Sequence, residues 1–453
     1  MECDIAIGFD FGTSNSAIAV VEPGEVLPRL LRLDATQPDA QLVPTTLYFR
    51  PDGSFQIGRE AIETYVRLEA GHTIVRERRA TSEEIETVYG LERVLTEVDV
   101  NQPGRFFQSI KRSLADASFR GTEIFGRFYT PEDLIAAFTA EMRWRAEEAL
   151  GRPVTRAMVG RPVHWSNRAG GDDLALKRMD TALHQAGFDD FAFMEEPIAA
   201  GLRLAASLPE QRIVLVFDFG GGTLDVTVMR IGGTERTVLS TAGIPLGGDI
   251  LDEDIMDRRL LRYFGEHLRW GPQKLPMPQH ILDTARRWYT IPELNEPGTI
   301  RFLRDLERER NATVRRQVRA LMSLARGNHG WPLFREIERA KIGLSKREQE
   351  RIRYVADAID INEPLARQEF EGLIEARVRQ ATRCVDDALA AAGLDADQIE
   401  LVMHTGGSSL IPRFLRLLAD RFGADKLTGQ DAFTSVASGL ALAARDLDDP
   451  RVS

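Results

Sequence analysis

The segment Val214-Leu-Val-Phe-Asp-Phe-Gly-Gly-Gly-Thr-Leu-Asp-Val-Thr-Val228 narrows the choice of fold more than any other part of the chain. An apolar, β-branched run enters three consecutive glycines and an alternating apolar run leaves them, which is the pattern of a strand, a tight turn and a second strand. Gly220, Gly221 and Gly222 leave backbone N–H groups bare and allow positive φ, so the tip can close on a polyanion. Asp218 and Asp225 flank that tip and would repel a phosphate unless a cation lay between, which points to a hard divalent ion, most simply Mg2+. Taken alone, the segment also reads as an ordinary glycine-tipped hairpin. The pattern recurs, however, in Ile5 to Val21, with the same Phe-Asp-Phe-Gly core around Asp10 and with Gly12, Thr13, Ser14 and Asn15 at its tip. Two such hairpins predict two related lobes, each offering a phosphate turn to one nucleotide held between them. Neither is a Walker loop, since no Gly-Lys dipeptide occurs in the sequence.

The 453 residues suffice for two or three domains. A net charge of -11 argues against general binding to nucleic acid or to an anionic membrane, both of which need an excess of Lys and Arg. Cys3 and Cys384 are too few for a disulfide framework, so a reducing, cytoplasmic compartment is expected. Met1-Glu-Cys-Asp lacks a basic and apolar leader, and no apolar run reaches the length of a bilayer span; a soluble protein is expected.

In chain order, residues 59 to 100 read as a solvated helical or loop insertion. Lys111 interrupts the helix-like apolar run Phe106 to Leu114, either as a donor to phosphate or as a lysine snorkelling along a helix. Pro131 to Leu150 reads as an amphipathic helix capped by Thr130 and stopped by Gly151. Glu196 precedes a helix that starts at Pro197, where it either holds a water or complements the helix dipole. The small residues after Pro197 allow close packing against another helix or a hairpin. Gly247 and Gly248 open the next helix, Asp249 to Phe264, and bring backbone close to ribose or phosphate or serve as a plain helix entry. Residues 270 to 300 are proline-rich and predict an irregular connection. Arg301 to Arg353 reads as mainly helical and Arg-rich, with Glu338, Lys341 and Ser345 on one helical face. Glu363 to Ala392 reads as one long amphipathic helix. Leu401 to Thr405 is a strand that delivers Gly406, Gly407 and Ser408, and a small-residue helix follows from Ser435 to Arg445.

Together the two hairpins, the Lys111 segment, Glu196-Pro197, the Gly406-Gly407 turn and Glu338 to Ser345 resemble the ATPase half of the seventy-kilodalton heat-shock chaperone family. That family lies in the actin, sugar kinase and heat-shock ATPase superfamily. Val159-Gly-Arg-Pro-Val and Ala169-Gly-Gly-Asp-Asp are similar to its short YegD-type bacterial branch. The resemblance implies a two-lobed α/β actin-like fold, a pair of ribonuclease-H-like domains with the nucleotide in the cleft. Lobe I would comprise residues 1–209 with the returning helix 428–447, and lobe II residues 210–427, with a helical insertion at about 250–355. It implies ATP or ADP with Mg2+ as cofactors: Asp10, Asp218 and Asp225 organising the metal, Lys111, Glu196, Asp218 and Thr223 acting in hydrolysis, and Gly12 to Asn15, Gly220 to Thr223, Gly247 and Gly248 near the phosphates. Glu338, Lys341, Ser345, Gly406, Gly407 and Ser408 would surround adenosine. Two departures bear on the base: Leu410 stands where the family has an arginine, and Phe433 where it has an acidic residue. The family continues through an apolar linker into a peptide-gripping β-sandwich, and this sequence ends at Asp446 to Ser453 without one. The expectation is therefore a slow ATPase acting as a conformational switch, read by a separate protein partner or client. An actin-like filament-forming ATPase and a small-molecule kinase are the alternatives from the same superfamily.

Overall fold

A computed structural model describes every residue except 1–4, 23, 35–39, 88–89, 166–169, 206–207, 209, 233–234, 430–434 and 446–453, with backbone alone at 78–87, 90–98, 203–205 and 235. Phe433, Cys3 and the C-terminal tail therefore lie outside the described residues.

Both glycine motifs are hairpins. Ala6–Asp10 pairs antiparallel with Asn15–Val20, and Arg212–Phe219 pairs antiparallel with Leu224–Gly232. Each hairpin sits in a sheet of the same design. In the first, Ala6–Asp10 is also parallel to Arg156–Arg161, which is parallel to Asp190–Glu195, while Arg29–Leu30 extends the other edge. In the second, Arg212–Phe219 is parallel to Leu401–Thr405, which is parallel to Leu427–Gly429, while Glu235–Ile244 extends the other edge. The repeat in sequence is thus a repeat of topology.

The two sheets carry separate cores. One gathers Ile7, Phe9, Phe138 and Phe188 under the helices Pro131–Leu150 and Gly171–Gln185; the other gathers Phe217, Phe219, Phe264 and Phe414 with the helices of the C-terminal half. The helix Pro131–Leu150 starts on a capping box, Thr130 with Asp133, and stops at Gly151 in the left-handed region. Between the cores, a smaller cluster of Met158, Ala199, Val214, Met229 and Leu440 joins the halves. It is built on two crossing helices, Glu196–Ala205 and Ser435–Ala444, whose small residues allow backbone contact as expected from the sequence.

Four local expectations are corrected. Lys111 lies on a 3-10 turn, Ile110–Ser113, that follows the strand Arg105–Gln108, not in a helix. Residues Arg76–Thr87 and Gly90–Asp99 form an antiparallel hairpin after the helix Gly58–Glu69. Residues 270–300 are mostly ordered into helix: Pro292 and Pro297 stand in first-turn positions of Ile291–Asn295 and Pro297–Glu307, where a missing N–H costs nothing. Finally, Gln349–Ala356 and Ile359–Ala366 form a hairpin, so the long helix begins at Arg367 and breaks at Ile374 rather than running from Glu363. Glu363 is fully buried on the inner face of that hairpin, where Arg259 Nε donates to it at 2.8 Å and Tyr263 Oη at 2.9 Å.

Candidate functional site

The two glycine tips face one another. A methyl group on Gly221 would lie 2.8 Å from Ser14 Oγ, and one on Gly222 would lie 3.2 Å from Thr13 Cγ2. Behind the second tip, Gly220 O accepts from Gly248 N–H at 3.0 Å and from Ser408 Oγ at 2.9 Å, and Gly221 O accepts from Asp249 N–H at 2.9 Å. Because the peptide unit is planar and trans, turning those carbonyls backwards turns the N–H groups of Gly221 and Gly222 forwards. None of Gly220, Gly221 and Gly222 takes a positive φ, contrary to the expectation from sequence. The tight fit falls on Gly247, which packs against the tip: a methyl group on it would lie 2.0 Å from Gly221 O. The first tip is pinned by Thr45, whose Oγ1 donates to Gly12 O at 2.8 Å and whose N–H donates to Ser14 O at 2.8 Å.

One cavity of about 250 Å3 lies between the tips, lined by Asp10, Gly12 to Asn15, Lys111, Glu196, Asp218, Gly220 to Thr223, Asp225 and Gly406. Fourteen of the sequence-derived site residues thus meet in one place. Lys111 is buried, donates to Glu196 Oε1 at 2.6 Å, and lies 5.3 Å from the ring centre of Trp165. Gly247, Gly248, Gly407 and Ser408 stand behind the cavity rather than on its wall. Glu338 and Lys341 lie on the helix Gly330–Leu344 and Ser345 just past its end, and none of the three lines the cavity. The Lys341 ammonium donates to Asp252 Oδ2 at 2.7 Å and to Gly248 O at 3.0 Å, which ties this helix to the second tip. Glu338 pairs with Arg335. Leu410 ends the turn Gly407–Leu410 and is exposed.

Sequence reasoning missed Arg112, His164 and Trp165, which also line the cavity. Arg112 Nη2 donates to Gly222 O at 3.1 Å and so links the halves. A signal for the other two existed: Pro162 to Trp165 follow directly on a strand parallel to the Asp10 strand.

The carboxylates are crowded. Burial, and then the charge of Glu196, push Asp10 up to about 7 against the opposing pull of Lys111. Burial pushes Asp225 up to about 6 although Thr223 donates to it. Asp218 is also held well above the usual carboxylate range by burial and by Asp225, Glu196 and Asp10. Among the described residues, no three His, Cys, Asp or Glu side chains are grouped closely enough to hold a metal ion directly. Ser14 Oγ is buried without a hydrogen-bond partner.

A pH dependence follows. Carboxyl groups with raised pKa in the folded state bind protons that the unfolded chain releases near pH 4, so their contribution is favourable at low pH and is lost as pH rises through the folded values. In EDTA, the thermal midpoint is expected to carry a downward contribution between about pH 4 and 7, which Asp10→Asn reduces. Melting curves of both proteins across that range check this; identical pH slopes would refute it.

No helix among the described residues is long and apolar enough to cross a membrane. Comparison with known proteins agrees with the resemblance seen in the motifs. The family model described as Hsp70 protein matches residues 6–270 and 329–450. The chain is 28% identical over 446 residues to the heat shock 70 kDa protein BIP3 of Oryza sativa subsp. japonica, covering 97% of this chain and 56% of that one. It is 25% identical over 457 residues to a chaperone protein DnaK of Thermus thermophilus, covering 97% of this chain and 60% of that one. It therefore spans somewhat more than half the length of these relatives. With its paired hairpin sheets and a family match over most of its length, the chain belongs to the Hsp70 family and has the two-lobed, actin-like fold of that family's ATPase half.

Proposed function

We propose that the cleft binds ATP and ADP with Mg2+, hydrolyses ATP, and works as a nucleotide-driven switch of chaperone type. The observation that carries this reading is the pair of opposed glycine tips on one cavity that also holds Asp10, Asp218, Asp225 and the Lys111–Glu196 pair. The forward N–H groups of Gly221 and Gly222, with the free Ser14 hydroxyl, fit phosphate oxygens. The raised carboxylates fit a cation, and since no three of them are grouped as direct ligands, Asp10, Asp218 and Asp225 would hold Mg2+ mainly through its waters. When bound, Mg2+ supplies charge neutralisation to the phosphates. Thr13 and Thr223 would orient the phosphates, and Lys111, fixed by Glu196 and Trp165, would bring positive charge to the γ-phosphate and steer the attacking water with Glu196. Glu338, Lys341 and Ser345 would receive ribose beside the Gly406–Ser408 turn. Leu410 offers an apolar edge to the base.

In this reading the halves are lobes, residues 1–209 with 428–447 and residues 210–427, and closure around the γ-phosphate is what a partner reads. The exposed arginines at 301, 304 and 316 give that partner basic contacts, while Arg308 and Arg319 pair with Asp305 and Glu307. Calorimetric titration of the protein with ADP and with ATP tests the reading. Binding that strengthens at least about tenfold on adding Mg2+ is expected, together with slow phosphate release from ATP. No heat of binding and no phosphate release from folded protein would refute it.

A further inference from the structure

The turn Pro162 to Trp165, which leaves the strand Arg156–Arg161 and brings His164 and Trp165 to the cavity, is tied down at both ends. At its start Arg161, paired with Glu195 at 2.8 Å, donates to Pro162 O at 3.2 Å and to Val163 O at 3.3 Å. Its other anchor is Asp172, in the first turn of the helix Gly171–Gln185. Asp172 Oδ1 accepts from Trp165 N–H at 2.6 Å, and Oδ2 from His164 Nδ1 at 2.9 Å. A carboxylate only accepts, so Nδ1 carries a proton and the neutral ring keeps its lone pair on Nε2.

That lone pair cannot serve a phosphate, whose ionised oxygens also only accept. It suits a water. The carboxylates of the cavity are otherwise engaged: Glu196 accepts from Lys111 at 2.6 Å, and Asp10, Asp218 and Asp225 are the groups assigned above to the cation. Beside His164, Trp165 Nε1 is buried without a hydrogen-bond partner, and the Trp165 ring centre lies 5.3 Å from the Lys111 ammonium. A stranded donor and an acceptor nitrogen on consecutive residues, next to the Lys111–Glu196 pair, mark this wall as a place for an oxygen ligand.

We propose that His164, oriented by Asp172, is the proton acceptor in ATP hydrolysis, a role that rests on the nucleotide reading above. The water oxygen bonds to the γ-phosphorus as the bond from that phosphorus to the bridging oxygen breaks. The electron pair of the broken bond stays on ADP, and one proton of the water passes to His164 Nε2. Asp172 stabilises the imidazolium through Nδ1–H until the exposed ring returns the proton to solvent. The other charged groups around this wall are Arg161 on the turn and, lining the cavity, Lys111, Arg112, Glu196 and the three cation carboxylates. Asp10 and Asp225, pushed up to about 7 and about 6, titrate in the same range as an imidazole, so the test must cancel them.

Phosphate release at saturating ATP and Mg2+ is measured from about pH 5 to about pH 8 for the full chain and for His164→Gln, which keeps a polar side chain but takes no proton. The ratio of the two rates cancels the titration of ATP and of the shared carboxylates. It is expected to be near one at the acid end and to rise to about tenfold at the alkaline end. This is less than a base usually supplies, because a loose transition state moves the water's proton late. ADP affinity, by calorimetry, is expected to change less than about twofold, which separates the chemical step from binding. Asp172→Asn should lose about as much as His164→Gln, and the double variant little more, since the two groups act as one unit. A ratio that does not vary with pH would leave His164 a structural residue, and a ratio largest at low pH would make it a protonated phosphate ligand; either overturns the base alone. A wild-type chain that binds no nucleotide or releases no phosphate refutes the nucleotide reading, and the base falls with it.

Discussion

Replacing Asp218 by asparagine is expected to lower Mg2+-dependent ATP turnover at least ~100-fold while leaving the thermal midpoint of the metal-free protein unchanged or higher. The two halves of this result have one cause. Asp218 is held well above the usual carboxylate range because burial, Asp225, Glu196 and Asp10 all oppose its charge, with only Lys111 in its favour. Removing the charge relieves that conflict, so stability does not suffer. The same change weakens the attraction that would bring a cation to the phosphates, and the remaining carboxylates do not stand close enough to hold an ion by themselves. Asp10→Asn should behave alike, and the double variant should cost much less than the sum, since both groups would serve one ion. Phosphate release at saturating ATP, measured beside a melting curve, checks this. Turnover near the wild-type value in a folded Asp218→Asn protein would falsify the assignment of these carboxylates to the metal.

How much of this was legible in the sequence differs from element to element. The hairpins were, because alternation and consecutive glycines are local signals, and the duplication they suggested reappears as two sheets with the same order and directions. The cluster of site residues was legible for the same reason: most of it sits on the tips themselves. What escaped was decided at a distance. Glu363 occupies an inward strand position that pattern would reserve for an apolar residue, and it reads as the polar start of a helix. Its charge is met by Arg259, Arg262 and Tyr263, about a hundred residues earlier in sequence, so nothing nearby marks it as buried. Pro292 and Pro297 begin helices, yet in sequence they read as breaks, because proline density alone does not separate a helix start from an irregular connection. Lys341 lay on the expected helical face, but its buried partner Asp252 and its bond to Gly248 come from a different helix. Trp288 and Asn328 carry no periodic signal at all, because their partners Tyr65, Phe106 and Val66 lie in the other half.

Gly439→Val is expected to be the most disruptive substitution in the crossing helices. A methyl group on Gly439 would lie 1.8 Å from Ala199 O and 2.5 Å from its carbonyl carbon, and both are backbone atoms that no rotamer change can move away. Nor can the helix retreat freely on its opposite side, since a methyl group on Gly8 of the first hairpin would lie 2.1 Å from Ala441 N. The helix Ser435–Ala444 is thus wedged between a strand and a helix, with overpacking in one place strained against close contact in another. Forcing these elements apart costs about 3 kcal/mol or more, which corresponds to a fall of about 3 °C or more in the thermal midpoint for a protein of this size. The cleft should be affected as well, because Ser435 and Val436 line it and Ser435 shares a hydrogen bond of 3.0 Å with Thr405. Gly298→Val supplies the contrast: it adds the same atoms to a helix position with open space around it. Calorimetric melting of the two variants separates close packing from a general intolerance of glycine replacement. A large loss confined to Gly439→Val is the expected result, and equal losses at both positions would mean that the helix crossing is not what holds the halves in place.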